Sequence, residues 1–177
     1  LLFLAFDPAV SSATVEQWHE WCDREFGAAA TDVRNAYESA RPGSTPLHLI
    51  AAVQTDRSFR RPAQKLSEAR SAKGTPVWAY WFTWASQTFD GLLGSAHALD
   101  IPFAFDNLHA PGTSMLLGEG PEMTALASRF ADEIVSFARS GRAGWNHFDA
   151  DSRATLRLDT EIELINDPEP TLRALHS

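Results

Sequence analysis

The sequence predicts an α/β architecture that is mostly helical, with one buried sheet strand over residues 77–84 and a hairpin near the C-terminal end. Three observations predict it. Val77, Trp78, Ala79, Tyr80, Trp81 and Phe82 put β-branched and aromatic side chains on both faces of a strand, the mark of a strand covered on both sides in a parallel or mixed sheet. Long segments on either side repeat apolar residues at helical spacing. Residues 153–158 and 161–165 flank Asp159-Thr160 as two short strands flank a turn. One strand cannot make a sheet, so the neighbours of 77–84 are expected outside this chain.

Taken in order, Leu1 to Phe6 is an apolar run that fits a strand or a helix tail, ended by Asp7-Pro8. It lacks an initiator Met and the basic flank of a signal peptide, so the chain reads as a fragment or processed product. Thr14 and Gln17 form a capping box, and Val15, Trp18, Cys22 and Phe26 make one helical stripe stopped at Gly27. His19 lies off that stripe, on a solvated face. A second helix spans 31–40, with Val33, Ala36, Tyr37 and Ala40 on one face. Arg41-Pro42-Gly43-Ser44-Thr45-Pro46 is a turn cluster, and 47–53 is an apolar third helix.

A fourth helix spans 58–73, with Phe59, Ala63, Leu66 and Ala69 inward and Pro62 in its first turn or at a kink. Arg57, Arg60 and Arg61 cluster there. They fit an anion grip or a solvated, ion-paired face, and the ordinary fate of surface charge favours the second. After the strand, 88–96 is a loop with Gly91 and Gly94, leading into His97-Ala98-Leu99-Asp100-Ile101-Pro102-Phe103. The helix over 122–140 carries Met123, Leu126, Phe130, Ile134 and Phe137 as its buried stripe and stops at Gly141, with Trp145 and Phe148 packing back on it.

The chain has 177 residues, 44% of them hydrophobic and 21% charged, which fits one globular domain. A formal charge of −8 disfavours nucleic acid and anionic membrane surfaces as partners. No apolar run approaches the roughly 18–20 residues that span a bilayer. Cys22 is the single cysteine, so no internal disulfide framework exists. This is compatible with a reducing cytoplasm, although a secreted chain can also lack disulfides.

Metal ligation is disfavoured: Cys22 stands alone, no HxxxH or HExxH occurs, and His97, Asp100 and His109 lack a ligand spacing. No GxxxxGK[ST] or GxGxxG occurs, so nucleotide binding has no support, and no cofactor is expected. Nucleophilic catalysis is the open option. His97 follows a rigid strand and a Gly-rich loop, where a general base belongs if a sheet is to aim a loop residue. On spacing alone a structural loop histidine is the favoured reading, because a base needs a nucleophile and an orienting carboxylate and neither partner is visible.

A resemblance weighs between these readings. Phe59-Arg60-Arg61-Pro62-Ala63, the strand Pro76-Val77-Trp78-Ala79-Tyr80-Trp81-Phe82-Thr83-Trp84, and the loop Gly94-Ser95-Ala96-His97-Ala98-Leu99-Asp100-Ile101-Pro102-Phe103-Ala104-Phe105 occur in that order. They are followed by Phe137-Ala138-Arg139-Ser140-Gly141, Trp145, Arg153-Ala154-Thr155-Leu156 and Asn166-Asp167-Pro168. Together they resemble the C-terminal part of a type-B carboxylesterase, the family of para-nitrobenzyl esterases and cholinesterases, over essentially the whole chain. The resemblance implies the C-terminal segment of an α/β-hydrolase fold and a Ser, Glu or Asp, His triad in that chain order.

On that resemblance His97 matches the catalytic base. Asp100 matches a place that is often acidic; holding the loop by hydrogen bonds is favoured over direct chemistry, since it does not match the triad acid. Phe89, Leu92, Leu93 and Phe103 are candidate walls of the ester pocket, with core packing as the plainer reading of each. The nucleophile elbow G-x-S-x-G is absent, no Gly-rich oxyanion motif occurs, and the acid is expected upstream of Leu1. The implied substrate is a small carboxylic ester of the full-length protein. The isolated chain is expected to be inactive and to self-associate or pair with the missing N-terminal portion. The competing reading is a non-catalytic binding or adhesion module with an esterase-like fold, since some relatives lack the nucleophile.

Overall fold

The computed structural model describes Asp7 and residues 11–176. The strand or helix tail expected at Leu1 to Phe6 lies outside the described residues. The chain divides into two compact units, one of residues 1–66 with 169–177 and one of residues 67–168.

The first unit is helical. Its α1 (Val15–Phe26) opens on the expected capping box: the Thr14 side chain accepts from the Gln17 N–H, and the Gln17 side chain from the Thr14 N–H. Trp18 and Cys22 are buried, but Val15, in the first turn, is exposed rather than part of the stripe. His19 is exposed, as expected for a solvated face. In α2 (Ala30–Ala40), Val33 and Tyr37 are buried, while Ala40, expected inward, is exposed at the helix end. Thr45 caps α3 (Pro46–Thr55), whose Pro46 takes a first-turn place where its missing N–H costs nothing. These helices share a core of Trp18, Cys22, Val33, Tyr37, Ile50 and Val53, closed by Leu172 from α8 (Pro170–Leu175).

Between α3 and α4 (Arg61–Ser71) lies a π turn, Asp56–Arg60, in which the Arg61 N–H reaches back to the Asp56 carbonyl. Pro62 has no N–H with which to continue an ordinary ladder here. The wide turn adds one residue and rotates the downstream helix by about 100°. The face expected inward is therefore turned out: Phe59 and Leu66 are 69% and 61% exposed, and Ala63 and Ala69 are exposed.

Asp56, the first residue of that turn, is buried. Its carboxylate accepts the Tyr37 hydroxyl at 2.7 Å, and that oxygen also meets His176 Nε2 at 2.7 Å. The hydroxyl has one proton and gives it to the carboxylate, so Nε2 must carry the proton of the second bond. Arg60 pairs with Asp56 at 3.7 Å and with Glu169, and Arg41 reaches Glu169 at 3.1 Å. Arg57 pairs with Glu25 at 3.1 Å. Arg57 and Arg60 are thus ion-paired, in line with the second reading of the arginine cluster.

The second unit holds the sheet. Its strands are β1 (Ala79–Phe82), β2 (Thr155–Leu158) and β3 (Glu163–Ile165), in the order β1-β2-β3. β1 runs parallel to β2 with Ala79 opposite Thr155 and Phe82 opposite Leu158, and β2 runs antiparallel to β3. The expected C-terminal hairpin is present. Two expectations for 77–84 are corrected. One neighbour, β2, is within this chain. β1 is also not covered on both faces, since Tyr80 is 45% exposed, whereas Leu156 and Leu158 of central β2 are buried. Among the described strands β1 lies at one side of the sheet and β2 takes the central, protected place.

α7 (Pro121–Ser140) buries Met123, Leu126, Ala127 and Phe130. The stripe then stops short: Ile134 and Phe137 are exposed, and Glu133 is buried instead. Its carboxylate accepts the Gly144 N–H at 2.6 Å and pairs with Arg129 at 2.6 Å. A Cβ at position 144 would lie 2.6 Å from Glu133 Oε1, so any larger residue there would require the carboxylate to shift. Trp145 Nε1 donates to the Ala79 carbonyl at 3.1 Å, and the Phe148 N–H to Val77 at 2.7 Å, tying this loop to β1 and its lead-in.

Burial, ahead of the opposing pull of Asp56, holds the His176 imidazole below its ordinary value of 6.5. The unfolded chain then binds more protons than the native one, so stability rises with pH. The contribution is complete above about 6.5 and is lost as pH falls through the lower native value. Urea midpoints measured from pH 7.5 to 5 are expected to fall more steeply in the natural chain than in His176→Gln, and equal slopes would refute the assignment.

Candidate functional site

β1 ends at Phe82, and the chain leaves the sheet in a closed loop. The Ser86 N–H meets the Gly94 carbonyl at 2.9 Å, and Ser86 Oγ donates at 2.6 Å to the Leu116 carbonyl in the short helix α6 (Thr113–Leu117). Trp84 and Phe82 pack their rings on Phe103, at centroid distances of 5.1 and 5.2 Å. Leu93, Ala96, Leu99 and Phe103 are buried at intervals along 93–103, and His97 stands exposed among them. The apolar side chains set the path of the loop, and the imidazole faces outward from it.

His97 lies in a turn. The Leu99 N–H bonds the Ala96 carbonyl at 3.3 Å, which makes His97 and Ala98 its central pair. Ala98 has φ of +69°, a left-handed conformation that costs a Cβ-bearing residue about 1 kcal/mol. Asp100 is half-buried and accepts the Tyr80 hydroxyl at 3.4 Å, before the short helix α5 (Ile101–Ala104) begins. Burial first, and the Asp100 charge second, raise the Tyr80 phenol above 10.0. On the other side of His97, Ser95 Oγ donates to the Phe82 carbonyl at 3.1 Å.

The four expected pocket residues fall in different environments. Leu93 and Phe103 have no exposed surface, Leu92 is half-buried, and Phe89 is 52% exposed. His97 and Asp100 share one turn, while Leu93 and Phe103 serve the packing beneath it. Sequence reasoning missed Ser95 and Tyr80. Ser95 sits inside the Gly-Ser-Ala-His string, and Tyr80 carries the one side-chain hydroxyl of β1, a polar group that would need a partner. Among the described residues, no group of three or more His, Cys, Asp or Glu side chains is placed to hold a metal ion. No helix among them is long and apolar enough to cross a membrane.

The sequence is 32% identical over 166 residues to phenmedipham hydrolase of Pseudarthrobacter oxydans, covering 89% of this chain and 33% of that protein. It is 32% identical over 126 residues to the para-nitrobenzyl esterase of Bacillus subtilis (strain 168), covering 68% of this chain and 25% of the relative. Its fold matches a crystal structure of the Geobacillus stearothermophilus carboxylesterase at pH 6.2 with a TM-score of 0.80 and 26% identity, over 99% of this chain and 38% of the other. The chain is a homologue of the type-B carboxylesterases. No protein-family model matches the sequence. This carboxylesterase homologue spans about a third of the length of the curated relatives it matches, and its sheet and helices are part of an α/β-hydrolase fold.

The left-handed residue in the turn gives a direct test of its shape. Ala98→Val, with a branched Cβ, is expected to be less stable than Ala98→Gly by about 1–2 kcal/mol in urea denaturation. Equal stability of the two variants would refute the turn conformation.

Proposed function

We propose that the protein carrying this chain is a serine carboxylic-ester hydrolase, and that the chain is its C-terminal third and contributes the catalytic base, His97. The observation that carries the reading is the placement of His97. In a homologue of carboxylesterases, it projects from the loop that follows the carboxyl end of a parallel strand. Open α/β sheets put their ligand sites outside that end. No serine in the chain lies in a G-x-S-x-G elbow, so the nucleophile, the acid and the oxyanion donors come from outside residues 1–177.

In this reading the serine oxygen attacks the ester carbonyl while His97 takes its proton. The imidazolium then protonates the departing alcohol as the acyl–oxygen bond breaks. In the second half His97 takes a proton from water, hydroxide adds to the acyl carbon, and the proton returns to the serine as the acid leaves. The acid outside the chain fixes the tautomer of the ring and stabilises imidazolium. Preorganised N–H groups hold the negative charge on the carbonyl oxygen in both halves. The substrate class is a small carboxylic ester, in keeping with the esterase and hydrolase names of the relatives.

The chain alone lacks the nucleophile and carries out no acyl transfer. In the full-length protein, His97→Gln is expected to lower kcat for para-nitrophenyl acetate by at least about 10³-fold. Retained turnover would refute the base assignment. A serine-directed organophosphate is expected to leave the 177-residue chain unlabelled, and a label at a defined serine of this chain would overturn its predicted inactivity.

A partner is part of the same proposal. Among the described residues β1 has one ladder partner, and Phe105, Met115, Ile134 and Phe137 are large apolar side chains left exposed. Such surface promotes association with the rest of the enzyme or with a second copy. Size-exclusion chromatography of the isolated chain is expected to show self-association, and a well-behaved monomer would count against it.

A further inference from the structure

Two side-chain ties straddle His97, and both end on β1. Two residues before it, Ser95 Oγ donates to the carbonyl of Phe82, the last residue of the strand, at 3.1 Å. Three residues after it, Asp100 accepts the hydroxyl of Tyr80, mid-strand, at 3.4 Å. Between the ties lies the turn closed by the Ala96 carbonyl and the Leu99 N–H, with Ala98 held at φ of +69°. Neither Ser95 nor Tyr80 has a place in the proton transfers above.

An acid–base side chain must be held to within about 0.5 Å and 10–20° of its working geometry. Whatever packs on the ring in the full-length protein, part of that restraint comes from the backbone that carries it. The buried Ala96 and Leu99 prevent the turn from lifting, yet apolar contacts are non-directional and do not fix its rotation. Directional bonds on both sides do, and β1, hydrogen-bonded along its length to β2, is a rigid place to anchor them.

We propose that Ser95 and Tyr80 are positioning residues for His97, Ser95 fixing the entry to its turn and Tyr80, through Asp100, fixing the exit. This rests on the reading of His97 as the catalytic base. As positioning residues they act on the alignment of the imidazole, and their loss is expected to leave ester binding unchanged. Tyr80→Phe keeps the ring packed against Phe130, 5.0 Å away, and removes only the hydroxyl. Ser95→Ala removes only Oγ, and Ser95→Thr keeps it.

The test uses the full-length protein that contains this chain, with para-nitrophenyl acetate. Ser95→Ala and Tyr80→Phe are each expected to lower kcat about 10-fold, with KM unchanged to within about two-fold, since small misplacements of a catalytic group act on the transition state. Ser95→Thr is expected to recover most of the loss, which a merely structural role for the serine would not require. Circular dichroism and the urea midpoint check that each variant is folded.

Three outcomes overturn the proposal: natural kcat in the double variant while His97→Gln is inactive, a raised KM at natural kcat, or no recovery by threonine. Turnover by His97→Gln overturns the base assignment itself, and the positioning roles fall with it. The histidine variant thus separates failure of the proposal from failure of the reading beneath it.

Discussion

The parallel ladder between β1 and β2 is the interaction on which the second unit depends. Two parallel strands cannot be joined by a tight hairpin, so the chain must cross over between them. Here the crossover is residues 83–154, and it carries both the His97 loop and the long helix α7. The ladder also fixes where that crossover leaves the sheet. The Thr83 and Trp84 N–H groups both reach the Leu158 carbonyl, at 2.9 and 3.3 Å, and Thr83 Oγ1 donates to Asp159 at 2.6 Å. Only then does Trp84 turn into the core against Phe103. The position of His97 therefore depends on a backbone register that is set far away in sequence.

The first unit is governed by a different constraint, the need to satisfy charge once it is turned inward. The π turn at Asp56–Arg60 buries a carboxylate, and a buried carboxylate without partners is costly. Tyr37 and Arg60 supply them, and Glu169 and His176 extend the network to either end of α8. Such a network is weak evidence for net stability, because desolvation offsets much of the attraction. Its directional bonds do specify how α8 docks, and Leu172 then closes the apolar core at that place.

How legible these features were depends on whether their causes are local. The capping box at Thr14 and Gln17, the turn cluster before Pro46, and the hairpin around Asp159-Thr160 are short-range devices, and each lies where the residues put it. The phase of α4 was not legible. The stripe of Phe59, Ala63, Leu66 and Ala69 is internally consistent, but Phe59 lies in the π turn itself, and the extra residue there changes the phase of the helix that carries the other three. The second half of α7 failed for a related reason: the backbone N–H of Gly144 demands a carboxylate, and Glu133 takes the inward place that periodicity assigned to Ile134 and Phe137. Pairing of β1 with β2 was invisible because a partner some 70 residues on leaves no trace in local pattern. His97 and Asp100 were found through the resemblance of their loop. Ser95 and Tyr80 were not, because hydrogen bonds from loop to strand depend on how the loop folds back.

The energies around His97 explain how a strained turn can persist there. A non-glycine residue in the left-handed region costs about 1 kcal/mol, and such strain survives only where the surroundings over-determine it. Leu93, Leu99 and Phe103 are each fully or almost fully buried, and burying one such side chain contributes about 1.5–3 kcal/mol. Any relaxation of Ala98 that lifted even one of them would cost more than the strain it relieved. The apolar anchors therefore win, the left-handed residue stays, and the imidazole beside it is presented from a backbone that has no cheaper arrangement.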